Sequence, residues 1–98
     1  MPSLSILYPE ESRQTLQIPE NGLLIGRSPY CDLYLPDEFI SARHCKIFFE
    51  NEDLFIEDQG STNGTFIDGT QVEKKTSLKE GQRIQIGVTE MKIDTATH

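Results

Sequence analysis

The sequence predicts an all-β fold, a β-sandwich or small barrel, and two observations carry that prediction. Apolar residues recur with a period of two along the chain: Leu4, Ile6 and Tyr8; Leu16 and Ile18; Cys45, Ile47 and Phe49; Leu54 and Ile56; Ile84 and Ile86; Met91 and Ile93. Alternation of this kind sends successive side chains to opposite faces of a sheet, one toward a core and one toward water. Turn signals separate these runs at short intervals, and no segment of helical length carries an amphipathic stripe.

Taken in order, strands are expected near residues 3–8, 13–18, 22–26, 33–35, 44–50, 53–58, 65–67, 70–72, 82–86 and 90–94. Asn21-Gly22, Asn63-Gly64 and Asp68-Gly69 tolerate the positive φ that tight reversals need, and Glu80-Gly81 and Gly87 punctuate the C-terminal third. Asp68-Gly69, between Phe66-Ile67 and Thr70-Gln71-Val72, is the strongest hairpin signal. Two connections, residues 27–32 and 36–43, are long for hairpins. Polar loops of that length on a rigid scaffold often carry function.

Composition bounds what the chain can do. Ninety-eight residues, 36% hydrophobic and 26% charged, suit one globular domain spanning 1–98, without repeats or linkers. No apolar run approaches a membrane span, and Met1-Pro2-Ser3-Leu4 shows no signal-peptide pattern, so none is expected. The net charge of −7 argues against nucleic acid and anionic membrane as partners. Any anion-binding site must concentrate its cations locally. Cys31 and Cys45 lack metal-ligand spacing, so reduced thiols in a cytoplasmic protein are expected.

Three segments at strand-to-loop junctions stand apart: Gly26-Arg27-Ser28, Ser41-Ala42-Arg43-His44 and Gly60-Ser61-Thr62-Asn63-Gly64-Thr65. Arg27 offers a permanently charged fork of donors, Ser41 and Thr62 offer hydroxyls, and Asn63 offers both an amide and a carbonyl. Together these groups suit an anion rich in acceptor oxygens. In order and spacing the three segments resemble the signature of the forkhead-associated (FHA) domain, over about residues 23–93.

That resemblance implies a sandwich of two antiparallel sheets with the functional loops at one end. It implies a module that binds phosphothreonine-containing proteins in Ser/Thr-kinase signalling, without catalysis or cofactor. Arg27 and Ser41 would contact the phosphate with Thr62 close by, and Asn63 would hold the ligand main chain. Arg43 is a further candidate for the phosphate, and Gly26, His44 and Gly64 would support the loops. Ala42 departs from the family, where many members carry Arg, Lys or Asn against the phosphate, and it lowers the affinity expected. The apolar loop at Phe39 and Ile40 is expected to set specificity, with no demand for acidic residues after the phosphothreonine.

Other readings weigh less. Ser41 with His44 could suggest a nucleophile and base, but no orienting acid or oxyanion site accompanies them. Asn63-Gly64-Thr65 matches a glycosylation acceptor, in a chain with no secretory signal. His44 and His98 have no metal-binding partners at suitable spacing, and there is no P-loop or dinucleotide fingerprint. A phosphate-independent assembly module, docking through a sheet face or strand edge, is the main alternative. Glu10-Glu11 and the acidic stretch 50–53 read as solvated loops.

Overall fold

Each alternating run becomes a strand whose apolar side faces a second sheet. The structure, a computed structural model, describes residues 2–94; His98 lies outside the described residues. Eleven strands follow in order: β1 (Ser3–Leu7), β2 (Arg13–Gln17), β3 (Leu23–Gly26), β4 (Leu33–Tyr34), β5 (Cys45–Glu50), β6 (Asp53–Asp58), β7 (Thr65–Ile67), β8 (Thr70–Val72), β9 (Thr76–Ser77), β10 (Arg83–Ile86) and β11 (Thr89–Asp94). They form a six-stranded sheet, β2-β1-β11-β10-β7-β8, and a five-stranded sheet, β4-β3-β5-β6-β9. Among the described residues there is no helix, so none is long and apolar enough to cross a membrane.

Register explains the core. Leu4 lies opposite Ile93 and Ile6 opposite Met91, while Met91 also faces Ile84. In the other sheet Ile47 pairs with Ile56 and Leu23, and Cys45 pairs with Ile25. All of these side chains are buried in one apolar cluster between the sheets. Slipping any of these strands by one residue would turn its apolar set to water, so burial fixes the pairing. Both cysteines are buried free thiols. Burial above all, with the Asp58 charge adding to it, pushes the Cys45 thiol far above its ordinary pKa and keeps it a small hydrophobe.

Two details were not expected from the sequence. The pairings are antiparallel except for β4, which runs parallel to β3 over Ile25–Leu33 and Gly26–Tyr34. The loop 27–32 therefore carries the chain back alongside β3 instead of reversing it as a hairpin. Strand β9 also went unanticipated. It is two residues long, follows the polar Lys74-Lys75, and pairs with Phe55 and Ile56 at the sheet edge. Its neighbour Leu78 is buried and donates its N–H to the Leu54 carbonyl at 2.8 Å.

Strand direction decides where the long loops meet. β3, β6 and β10 run toward one end of the sandwich, and β5, β7 and β11 leave from it, as their antiparallel registers require. Loops 27–32, 35–44 and 59–64 and the Gly87-Val88 turn consequently share that end. At the other end lie tight turns. Asp68 and Gly69 have φ of 49° and 86° and close the predicted β7–β8 hairpin, and Asn51 and Glu52 close β5–β6 with φ of 53° and 72°.

Candidate functional site

Ser41 is the hub where the three motif segments meet. Its carbonyl accepts from the Arg27 N–H at 3.0 Å, and its Oγ accepts from the Thr62 N–H at 3.0 Å. Its own N–H donates to Nδ1 of His44 at 3.1 Å. One residue thus ties the loop after β3 to the loop after β6. The Ser41 hydroxyl hydrogen is not consumed by these bonds and stays available to an incoming acceptor.

His44 locks the arrangement from beneath. It is fully buried, and because Nδ1 accepts from Ser41, the ring proton sits on Nε2, which donates to the Gly64 carbonyl at 2.8 Å. Neither ring nitrogen bonds the Ser41 hydroxyl, so the pair is not arranged as nucleophile and base. The backbone carbonyl of His44 accepts from the Gln59 N–H at 2.9 Å, which anchors the start of the third loop.

Gly26 is required by close approach, not by φ. A Cβ there would sit 2.1 Å from the Ala42 carbonyl oxygen and 3.0 Å from the Cys31 sulfur. The same Ala42 carbonyl accepts from the Ser28 N–H at 3.2 Å and the Cys31 thiol at 3.1 Å. Only a residue without a side chain lets the β3 end lie flat against the Ser41 loop. Gly64 meets both demands, with φ of 91° and a hypothetical Cβ 2.8 Å from Gln71 Nε2.

Around this hub the candidate ligand groups stand at the surface. Arg27, Arg43, Thr62 and Asn63 are exposed and Ser41 is half-buried. Among the described residues neither arginine forms an ion pair. Asn63 Nδ2 donates to the Phe39 carbonyl at 2.8 Å, so one amide hydrogen already holds the loop and the other, with Oδ1, faces outward demands. Arg43 shares the Ser41 loop, but no bond of its guanidinium joins it to the cluster.

Two aspartates that the sequence did not single out stiffen the site. Asp58, at the end of β6, accepts from the Gly60 and Ser61 N–H groups at 2.8 Å each through Oδ1. Through Oδ2 it accepts from the Ser61 hydroxyl at 2.5 Å and the Thr65 hydroxyl at 2.7 Å. Ser61 Oγ in turn accepts from the Gly64 N–H at 3.0 Å. Burial acts to raise the Asp58 pKa, but the Ser61 and Thr65 hydroxyls and the loop amides outweigh it, and the net shift is downward. Asp37, mostly buried, accepts from the Phe39 N–H at 2.8 Å, the Val88 N–H at 2.7 Å and the Thr89 hydroxyl at 3.1 Å. It pins the front of the Ser41 loop to the β10–β11 turn. A faint signal existed for Asp58: Asp-x-Gly-Ser just before a glycine-rich turn is a local capping pattern. Asp37 has a local bond to Phe39, but the two that tie it to the β10–β11 turn reach about fifty positions away, and no sequence pattern marks them.

One expectation is corrected here. The sequence groups Ile40 with Phe39 as a specificity residue, but Ile40 is 1% exposed and belongs to the core, whereas Phe39 is 49% exposed. The loop alternates, one side chain anchoring it and the next facing outward. Among the described residues no cluster of three or more His, Cys, Asp or Glu could hold a metal ion.

Known proteins share this construction. FhaB, an FHA domain-containing protein of Mycobacterium tuberculosis, is 32% identical over 78 residues, which cover 80% of this chain and 50% of FhaB. The chain spans half or less of the length of the first curated relatives it matches. Among solved structures, one from a structural and functional analysis of phosphothreonine-dependent FHA domain interactions superposes with a TM-score of 0.85 at 28% identity, covering 98% of this chain and 99% of its own. The FhaA FHA domain, in complex with an intracellular domain of a second protein, superposes equally well at 29% identity, covering 95% and 99%. The FHA domain profile itself matches residues 23–87, from the first strand of the five-stranded sheet through the glycine beneath which Asp37 lies, and so takes in all three converging loops. A two-sheet sandwich that gathers Gly26-Arg27, Ser41 to His44 and Thr62 to Gly64 at one end makes this chain a member of the FHA family.

Proposed function

We propose that the chain, acting as one domain, is a phosphothreonine-dependent interaction module that binds phosphorylated proteins in Ser/Thr-kinase signalling. Arg27, Ser41 and Thr62 bind the phosphate, and Asn63 holds the ligand main chain through its uncommitted amide hydrogen and Oδ1. Arg43 is the reserve cation of the site. Gly26, His44 and Gly64 keep the loops in register and touch no ligand. The module works in the cytoplasm and turns over no substrate.

The observation that supports this most is the bonding of Ser41. Its Oγ accepts internally, so its hydrogen points to a donor role, and its carbonyl brings the Arg27 backbone alongside. A guanidinium and a hydroxyl donor then serve one anion, in a chain whose net charge of −7 would otherwise repel it. The aid of FHA relatives is independent: one superposable domain was solved in work on phosphothreonine-dependent interactions.

Fluorescence anisotropy with a threonine peptide and its phosphorylated twin tests the reading. The phosphorylated peptide should bind and the other should not. Arg27→Ala should weaken binding roughly tenfold to a hundredfold, the equivalent of one charge-assisted bond, with an unchanged melting temperature. Binding should also weaken as salt rises. Equal affinity for both peptides would favour phosphate-independent docking through a sheet face or edge.

A further inference from the structure

Apolar side chains left at the surface are scattered in most small proteins, but here they gather. Among the described residues the large hydrophobics that stay exposed are Tyr30, Tyr34, Phe39 and Val88. Three of these four line one groove of about 530 Å³. It is bounded by the loop after β1, the end of β4, the front of the Ser41 loop and the β10–β11 turn, and Tyr8 contributes a third aromatic ring. Concave surfaces with aromatic walls bind ligands far more often than flat ones do.

The groove is built, not accidental. Asp37 ties Phe39 to Val88 and Thr89, so two of its walls are fixed to each other. The Tyr8 hydroxyl donates to Gln14 at 2.7 Å, which holds that ring in place. The groove also adjoins the proposed phosphopeptide site. Phe39 and Val88 line a second, smaller hollow as well, of about 240 Å³, and Asn63 is in its wall. The two hollows therefore adjoin across Phe39 and Val88, and a chain held by Asn63 reaches Tyr34 by crossing them.

Charge selects the occupant. Every ionisable side chain lining the groove besides its tyrosines is acidic: Glu10 and Glu38, both exposed, with Asp37 beneath. Glu10 already acts on its surroundings, since burial first and the Glu10 charge second raise the pKa of Tyr8. Aromatic faces and carboxylates together favour a cation carried on an apolar stem.

We propose that this groove is a second docking site for the same partner: a segment flanking the phosphothreonine, carrying an apolar side chain and a lysine or arginine, lies between Tyr8, Tyr34 and Phe39 with its cation against Glu38 and Glu10. The inference rests on the phosphopeptide reading above and deepens it. The partner is then bipolar, its phosphate drawn to the Arg27 end and its basic flank drawn away from it. Such a pattern discriminates among phosphothreonines that the Arg27 loop alone would treat alike.

The test uses a short phosphothreonine core peptide, and versions extended on either side by a Leu-Arg-Leu-Lys arm, a Leu-Glu-Leu-Glu arm or a Gly-Ser arm. Anisotropy titrations would compare the native chain with Tyr34→Ser and with the double variant Glu10→Lys, Glu38→Lys. On one side the basic arm should raise affinity about three- to tenfold over the Gly-Ser arm, and the acidic arm should not. Both variants should bind the core peptide as the native chain does and lose the gain from the arm, with melting curves confirming that they fold. No gain from the basic arm, while Arg27→Ala still weakens core binding as expected, would overturn the groove and leave the phosphopeptide reading intact. A gain that survives in both variants would also overturn it, because the arm would then dock elsewhere. Failure of the core peptide to bind in its phosphorylated form would bring down the underlying reading itself.

Discussion

The two ends of the sandwich are held together in different ways. At the end of the tight turns, the reversals close within a few residues, as from Gly22 to Pro19 at 2.9 Å and from Gln82 to Lys79 at 3.2 Å, and longer links such as Asp68 to Arg83 join only neighbouring strands. At the end of the long loops, bonds join distant parts of the chain: Thr62 to Ser41, Asn63 to Phe39, Gly64 to His44 and Val88 to Asp37. A turn of the first kind is a local solution, and a change there stays local. The second kind is a network in which each loop is the scaffold of the next. Such cross-bracing makes a surface rigid enough to distinguish one ligand from another, and it makes that surface vulnerable to single substitutions.

The sharpest way to break this contrast is to place the same substitution at both ends. Gly26→Ala should lose about 3 kcal/mol of stability or more in denaturant unfolding, because the new methyl collides with the Ala42 carbonyl. Gly69→Ala, in the far hairpin, meets no neighbouring atom within 4 Å. It should cost only about 1–2 kcal/mol, the strain of a left-handed backbone. Similar losses at the two positions would erase the distinction.

His44→Ala should come next, with a loss of about 2–3 kcal/mol, as it strands the Ser41 N–H and the Gly64 carbonyl. Peptide affinity should fall with it although His44 is fully buried. The diagnostic readout is amide exchange, which should quicken at Ser41 and Thr62 and stay slow in β10 and β11. Uniform quickening would mean that the network is no more local than the core.

The smallest effect concerns acid. The Asp58 pKa is depressed below its ordinary value of 3.8. Its contribution is therefore complete above that value and is lost as pH falls through the lower, folded-state value. The stability gap between the native chain and Asp58→Asn should be full at neutral pH and close in that acid range. A gap that widens on acidification would contradict the bonding assigned to Asp58.

How much of this was legible in the sequence follows the same division. Strands were predictable because burial on one face enforces alternation: residues 53–58, 65–67 and 70–72 match the observed strands, and the others shift by a residue at an end. The edge strand β9 was not, since a two-residue strand offers no alternation to see, and the parallel direction of β4, whose position was expected, is set by the loop before it and not by its own residues. In the site, the arginine, serine, asparagine and histidine were visible as residue types at family spacing. The placing of Ile40 in the core was not, because a loop residue's direction is set by the bonds of its neighbours. Asp37 was silent for a related reason, as two of its three partners, Val88 and Thr89, arrive from the other end of the chain.

The sulfur at Cys31 carries a consequence of its own. Its thiol donates to the Ala42 carbonyl next to the Ser41 hub, and it is 8% exposed, while Cys45 is sealed away entirely. Alkylation at Cys31 would remove that donor and wedge new bulk behind the β3–β5 loops, so a maleimide or iodoacetamide small enough to enter becomes a chemical off-switch acting from the rear. A fluorescent tag forced onto that thiol would disturb the very loops whose binding it was meant to report.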